Sequence, residues 1–406
     1  MAVPNWAGAL GSTLAAQIVT AFLMSSVVVS APLLTADMGV PVEKIGYFSA
    51  ISTLASMWYL MCCGPLLPHF GPLRLLQGGL VLAAGGMALL LPASWGLFLL
   101  GAVLVGIAYG PVPPASSEIL ARQMPPGRRA LAFSIKQAGV PAGHALGGLL
   151  VPPLALLVDW RLGILVAMSA VLLVALAVQP WRARLDVGYS PQRPLSLAAM
   201  LSPANALQTL RTLRSTPGLT WLSYVGFCFA CAQGGFFSFY VAHMTESVGL
   251  AVTLAGAAYA VLQVTGAAGR ITAGWLADRF SARIVLTGLA FAASLAALLT
   301  ASLEPGLPWP ALLAAAAFSG LAAVSWNGVY LAEVARIAPQ GRVGEATSAS
   351  TFLAFTGYAT GPAAFALLVG QTGSYALAFS VLAVLPLTGG LSLLHIRHTG
   401  SPAGPG

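Results

Sequence analysis

Stretches of about 20 consecutive apolar residues, parted by short basic or Pro/Gly-rich breaks, recur along the whole chain, and each is long enough to cross a bilayer as a helix. Reading the runs between breaks predicts twelve spans, at 12–34, 45–66, 72–92, 95–119, 130–155, 161–179, 218–243, 251–277, 282–303, 308–334, 344–370 and 374–396. A soluble protein of 406 residues would need a charged shell, which ten acids and eighteen bases do not supply. The expected fold class is therefore an all-α polytopic membrane protein with twelve transmembrane helices.

A polar segment from Pro180 to Gly218 carries Arg182, Arg184, Arg193, Arg211 and Arg214. It divides the chain into an N-terminal six-helix bundle (1–179), a central loop (180–217), a C-terminal six-helix bundle (218–396) and a tail (397–406). Those five arginines fall on one side of the predicted membrane with Arg74, Arg122, Arg128, Arg129, Arg279, Arg283, Arg336, Arg342 and Arg397. The other side holds only Lys44 and Arg161. The positive-inside bias makes the richer side cytoplasmic, with both termini there, in an inner membrane.

Other classes are disfavoured by what the charges and cysteines do. The net charge of +8 is scattered through short loops, so no nucleic-acid partner is expected. Met1 to Gly11 has no Lys or Arg, so the first span is expected to be a retained helix and not a cleaved signal peptide. Cys62, Cys63, Cys228 and Cys231 lie in or at the end of apolar runs. The last two have CxxC spacing but no second ligand pair, which favours packing over a metal or redox site. No carboxylate pair, Ser/His/Asp set or phosphate loop stands in a coherent place, so neither an enzyme nor a cofactor is expected.

The two halves repeat. At an offset of 210, Thr35, Gly39, Gly46, Gly64, Leu66 and Phe70 match Thr245, Gly249, Gly256, Gly274, Leu276 and Phe280. At 214, Arg122, Pro125, Gly127 and Arg128 match Arg336, Pro339, Gly341 and Arg342. Two pseudo-symmetric six-helix bundles follow, a parallel repeat suited to rocking one half against the other around a central site.

"GWLADRFSAR", between spans eight and nine, resembles the loop signature G-x-L-A-D-R-x-G-x-R/K of the major facilitator superfamily. Gly274, Leu276, Ala277, Asp278, Arg279 and Arg283 match it, and Ser281 replaces its second glycine. "ARQMPPGRRA" and "ARIAPQGRVG", before spans five and eleven, are similar to that family's loops as well. The resemblance covers the whole chain and implies a secondary transporter working by alternating access. It also implies that Asp278 faces the N-terminal end of helix 5, where the helix dipole favours a carboxylate, and latches the halves on the cytoplasmic side. In the earlier copy Pro68 stands where Asp278 does and His69 where Arg279 does, so the matching latch against helix 11 should be weak.

Of 28 formally charged side chains, 26 fall at helix ends or in loops; the exceptions are Lys136 in span five and Arg270 in span eight. No Asp or Glu is expected deep in a span. A charge at the bilayer centre costs about 2.5–3.5 kcal/mol, which makes such residues candidates for function. Each also has a structural alternative: Lys136 could snorkel outward, and Arg270 could brace the Asp278 loop. In the functional reading, two cations without a buried carboxylate invite a small anion, most plausibly an organic carboxylate held by the arginine fork. An arginine four residues before the loop glycine also resembles the monocarboxylate and oxalate/formate branch, where it implies the carboxylate-binding residue. Span eleven lacks the partner lysine of that branch, and Lys136 would take its role from span five.

Further candidate lining residues are Gln263, Gln137, His144, Gln233, Asn327, Trp326, Tyr109, Tyr47 and Gln17, each also suited to joining helices by hydrogen bonds. His144 could be a proton site or a packing residue. Gln233 beside Gly234 and Gly235 suggests a break in helix 7. The glycine series 139/143/147 and 357/361 read as close helix packing. The expected partners are an anionic small molecule, the lipid bilayer and a coupling proton or exchanged anion, with the protein a monomer. Efflux of drugs or other lipophilic compounds is the alternative function. It is weakened by the lack of an acid inside the N-terminal half. A sensor or receptor is disfavoured by the short tail.

Overall fold

A computed structural model describes residues 5–189 and 203–395; the expected tail 397–406 and Arg193 lie outside the described residues. Among the described residues every regular element is helical. The twelve spans are α1 (Asn5–Val29), α2 (Gly46–Cys62), α3 (Pro72–Ala88), α4 (Trp95–Tyr109 and Val112–Gln123), α5 (Arg129–Leu157) and α6 (Trp160–Ala177). The second set is α7 (Leu219–Glu246), α8 (Val252–Arg279), α9 (Ala282–Ala301), α10 (Trp309–Ala323 and Asn327–Ile337), α11 (Val343–Thr372) and α12 (Tyr375–His395). Eight of them, all but α2, α3, α5 and α8, are long and apolar enough to cross a membrane by length and composition. Of the rest, α2 and α3 are 17 residues each, and α5 and α8 carry Lys136 and Arg270.

The chain forms two compact units. One comprises Met1–Pro126, Ile135–Leu210 and Gly341–Ala349; the other comprises Gly127–Ser134, Arg211–Gln340 and Ser350–Gly406. In the first, α1 packs on α6, α2 on α4, and α3 on both α4 and α6. In the second, α7 packs on α12, α8 on α10, and α9 on both α10 and α12. These pairs correspond one for one under the sequence repeat, which defines two six-helix pseudo-symmetric bundles.

Small residues make the close approaches, as expected where lipid tails compete equally for apolar surface and packing must bring helices together. A Cβ on Gly106 of α4 would strike the Ser52 backbone of α2, and one on Gly320 of α10 would strike the Leu262 backbone of α8. These are the same contact in the two copies: Gly106 and Gly320 are 214 residues apart, Ser52 and Leu262 are 210. Gly139 and Gly143 of α5 lie against α1 at Gln17, Ile18 and Ala21, and Gly357 and Gly361 of α11 lie against α7 at Phe227 and Cys231. Around these seams the first unit packs Phe22, Leu23, Phe48, Phe98, Trp160 and Ile164 into one buried cluster.

Helix breaks fall where the sequence did not suggest them. α7 runs unbroken through Gln233, Gly234 and Gly235, so the expected break there is absent. Its two glycines instead admit the Pro362 ring of α11 and the Leu382 side chain of α12. The breaks are in α4, at Gly110 and Pro111, and in α10, at Val324 to Trp326. In α4 the cause is local, because Pro111, Pro113 and Pro114 cannot donate to the helix ladder. In α10 no proline is present at the break, and the carbonyl it frees must find a donor elsewhere.

Candidate transport site

In the first unit Lys136 is 2% exposed, and its Nζ donates to Gln137 Oε1 at 3.1 Å. The side chain is thus turned inward and does not snorkel. No carboxylate pairs with it among the described residues. Three residues on, Gly139 receives the Gln17 side chain of α1. Gln17 is itself buried, and its Nε2 has no partner among the described residues. A cation and polar amides therefore lie along the α1–α5 seam.

In the second unit Arg270 supplies the donor that the α10 break requires. Its Nε donates to Val324 O at 3.0 Å from a side chain only 4% exposed. This bond ties α8 to α10. The residue 210 positions earlier is Leu60, buried and apolar, so the charge belongs to one copy of the repeat alone.

Next to that break a polar network joins three helices. Gln233 Oε1 of α7 accepts from Trp326 Nε1 at 2.9 Å and from the Tyr358 hydroxyl of α11 at 2.8 Å. Asn327 Nδ2 donates to that same hydroxyl at 3.2 Å. Phe229 stacks on Trp326 with ring centroids 5.2 Å apart and planes 7° apart. The network unites three of the sequence candidates, Gln233, Trp326 and Asn327, and adds Tyr358. The signal for Tyr358 was a polar aromatic beside Gly357 in the middle of a span.

The other candidates are more dispersed. Gln263 donates to Tyr259 Oη at 3.1 Å along its own helix. Tyr109 is half-buried at the end of the first part of α4, directly before the break. His144 is exposed on α5. Tyr47 is 53% exposed and lies edge-on to Trp95, over whose ring Lys44 also sits, an arrangement suited to a membrane interface.

The signature residues form a clasp within the second unit. Asp278 accepts from Ala130 N at 2.9 Å and Leu131 N at 2.8 Å, the free donors in the first turn of α5. Gly274 lets α8 approach, since a Cβ there would meet Ser134 and the Ala130 carbonyl. Arg283 donates to Leu394 O at 3.0 Å, and Arg279 lies over the Trp275 ring.

Two further carboxylates clasp helix starts in the first unit, and neither was singled out from sequence. Asp186 accepts from Leu73 N at 2.8 Å and Arg74 N at 3.1 Å, capping α3 behind Pro72. Burial raises its carboxyl above the ordinary range despite those bonds. Glu118 of α4 accepts from Gly344 N at the start of α11 at 3.1 Å and from the Tyr189 hydroxyl at 2.9 Å. Burial, then the charge of Glu118, raises the Tyr189 phenol, which keeps it the donor. Glu118 is 4% exposed although it lies near the end of its span and not deep within it. Its place near the end of α4 made it look like a loop charge, and only its partners distinguish it.

Twelve spans in two repeated bundles, with broken helices and buried cations, have the architecture of a membrane transporter of the repeat type. The Major Facilitator Superfamily model matches residues 13–306 and 225–406, and the chain belongs to that family. It is accordingly an integral, multi-pass membrane protein with a small-molecule substrate. Over 374 residues it is 27% identical to an uncharacterized MFS-type transporter of Mycobacterium tuberculosis, covering 88% of this chain and 77% of the relative. It is 22% identical to the hexuronate transporter of Bacillus subtilis, covering 81% and 78%. To the fosmidomycin resistance protein of Escherichia coli it is 25% identical, covering 95% and 92%. Among solved structures, the transporter FucP in the outward conformation matches with a TM-score of 0.74 at 17% identity, covering 95% and 99%. The human organic anion transporter MFSD10 matches at 0.73 and 18%, covering 96% and 100%.

Proposed function

We propose that the protein moves a small organic anion, a carboxylate, across an inner membrane by alternating access. The observation that carries this reading is the burial of Lys136 and Arg270 in otherwise apolar helices, with Lys136 on the neutral oxygen of Gln137. A buried cation held by a neutral dipole, as Lys136 is, gains strongly from an anionic ligand, because its desolvation has already been incurred and the counter-charge arrives with the substrate. The similarity to a hexuronate transporter supports the same direction. The moving bodies are 1–179 and 218–396, with both termini and the central loop cytoplasmic, as the basic loops argue. Asp278 on the start of α5 serves as the cytoplasmic clasp, made in one state and released in the other. The monocarboxylate branch, a proton or exchanged anion as the coupled species, and a monomeric state belong to the same proposal.

Uptake of labelled lactate, oxalate and galacturonate into proteoliposomes tests it. At least one should be taken up, and Lys136→Ala and Arg270→Gln should each abolish that uptake, a loss of about 100-fold or more for a buried charge contact. Uptake unchanged in both variants would overturn the assignment. Export is the second reading, favoured by similarity along 95% of the chain to a fosmidomycin resistance protein. A deletion strain sensitised to lipophilic drugs, with no carboxylate uptake in the liposomes, would select it.

A further inference from the structure

The hydrogen-bond chain through α7, α10 and α11 can run in one direction only. Trp326 Nε1 donates and cannot accept, so the Gln233 atom 2.9 Å from it is the carbonyl oxygen. The same oxygen lies 2.8 Å from the Tyr358 hydroxyl, which therefore commits its single proton to Gln233. Tyr358 Oη is left as an acceptor, and Asn327 Nδ2 donates to it at 3.2 Å. The orientation of the Asn327 amide is thereby settled, and its Oδ1 faces away from the chain. That oxygen is buried and has no partner among the described residues.

The start of this chain is rigid. Trp326 is stacked on Phe229 and lies 5.3 Å edge-on from Tyr330, whose hydroxyl donates to Ser350 O at 3.2 Å. An indole that cannot turn thus sets an amide three hydrogen bonds away. A buried acceptor without a donor is costly, and a ligand O–H or N–H would remove that cost. Arg270 is anchored to Val324, three residues before Asn327 along the chain, and its charge disfavours an ammonium at the same place. A hydroxyl suits both neighbours.

We infer that Asn327 Oδ1 recognises a hydroxyl group on the transported anion, so that the substrate class is a hydroxylated carboxylate. This rests on the organic-anion reading above and narrows it. Gln233, Trp326 and Tyr358 are positioning residues: they hold the amide with its oxygen presented. A carboxylate lacking the hydroxyl would leave the acceptor unpaired and be selected against, as sites built around a substrate hydroxyl generally do.

The test compares matched probes on the purified full-length protein by thermal stabilisation: lactate against propionate, galacturonate against cyclohexanecarboxylate, and neutral galactose. The hydroxylated acid of each pair should bind about 10–100-fold more tightly. Tyr358→Phe keeps the ring and frees the amide to turn, so the ratio should fall toward one while propionate affinity stays the same. Asn327→Leu should do likewise. Equal affinity within each pair, a ratio indifferent to Tyr358→Phe, or binding of none of the probes would overturn the inference. Galactose bound as tightly as galacturonate, in a way that depends on Tyr358, would retain the hydroxyl subsite and sink the anion reading instead.

Discussion

The loops after α2 and after α8 descend from one sequence, yet only the second caps a helix. After α8, Asp278 takes both backbone donors at the start of α5. After α2, Pro68 occupies the matching position and has no acceptor to offer. The start of α11 is instead held by Glu118, from the end of α4, while Leu67 packs on Gly344. Both helix starts thus carry a carboxylate, supplied by different elements. Four orphan N–H groups and the positive end of the dipole remain whichever loop lies nearby, so another acid has taken the place.

The comparison can be broken most directly at Asp278. Asp278→Asn removes the charge and one of the two acceptor oxygens, a loss of about 1–2 kcal/mol, and should slow initial uptake by roughly tenfold. Pro68→Ala should stay within about twofold of the parent, since no cap is lost there. Comparable losses from the two, measured at equal protein in proteoliposomes, would erase the asymmetry.

A smaller effect is expected at the substitute clasp. Glu118→Gln loses its charge and leaves one acceptor oxygen for two donors, Gly344 N and the Tyr189 hydroxyl, so uptake should fall by about three- to fivefold. Adding Pro68→Asp should recover part of the loss by placing a carboxylate where Asp278 stands in the other half. A silent Glu118→Gln would mean that packing of Leu67 alone holds the start of α11.

The smallest contrast lies in the glycines. A Cβ at Gly274 meets the Ala130 backbone and Ser134, whereas one at Gly344 meets chiefly the end of the Leu67 side chain, which can swing aside. Gly274→Ala should therefore destabilise by about 1–3 kcal/mol, and Gly344→Ala by well under half of that. Thermal unfolding in detergent reads both, and equal shifts would show that the two crossings are equally tight.

What the sequence determined by itself was everything carried by local composition. The spans, the six-plus-six repeat and the signature loop are written in runs of apolar residues and in short matched motifs, which need no partner to be recognised. Lys136 and Arg270 stood out for the same reason, as charges inside apolar runs. The tertiary structure decided what each polar group touches. Trp326 and Gln233 are 93 residues apart, Gln233 and Tyr358 are 125, and Glu118 and Gly344 are 226. The break in α10 shows the same division: no proline announces it, and it persists because a buried arginine 54 residues earlier donates to the carbonyl it frees. Hydropathy is a sum over neighbours in sequence, whereas hydrogen-bond satisfaction in a low-dielectric interior is a condition on neighbours in space. That is why the machine was legible from the chain and the chemistry of its site was not.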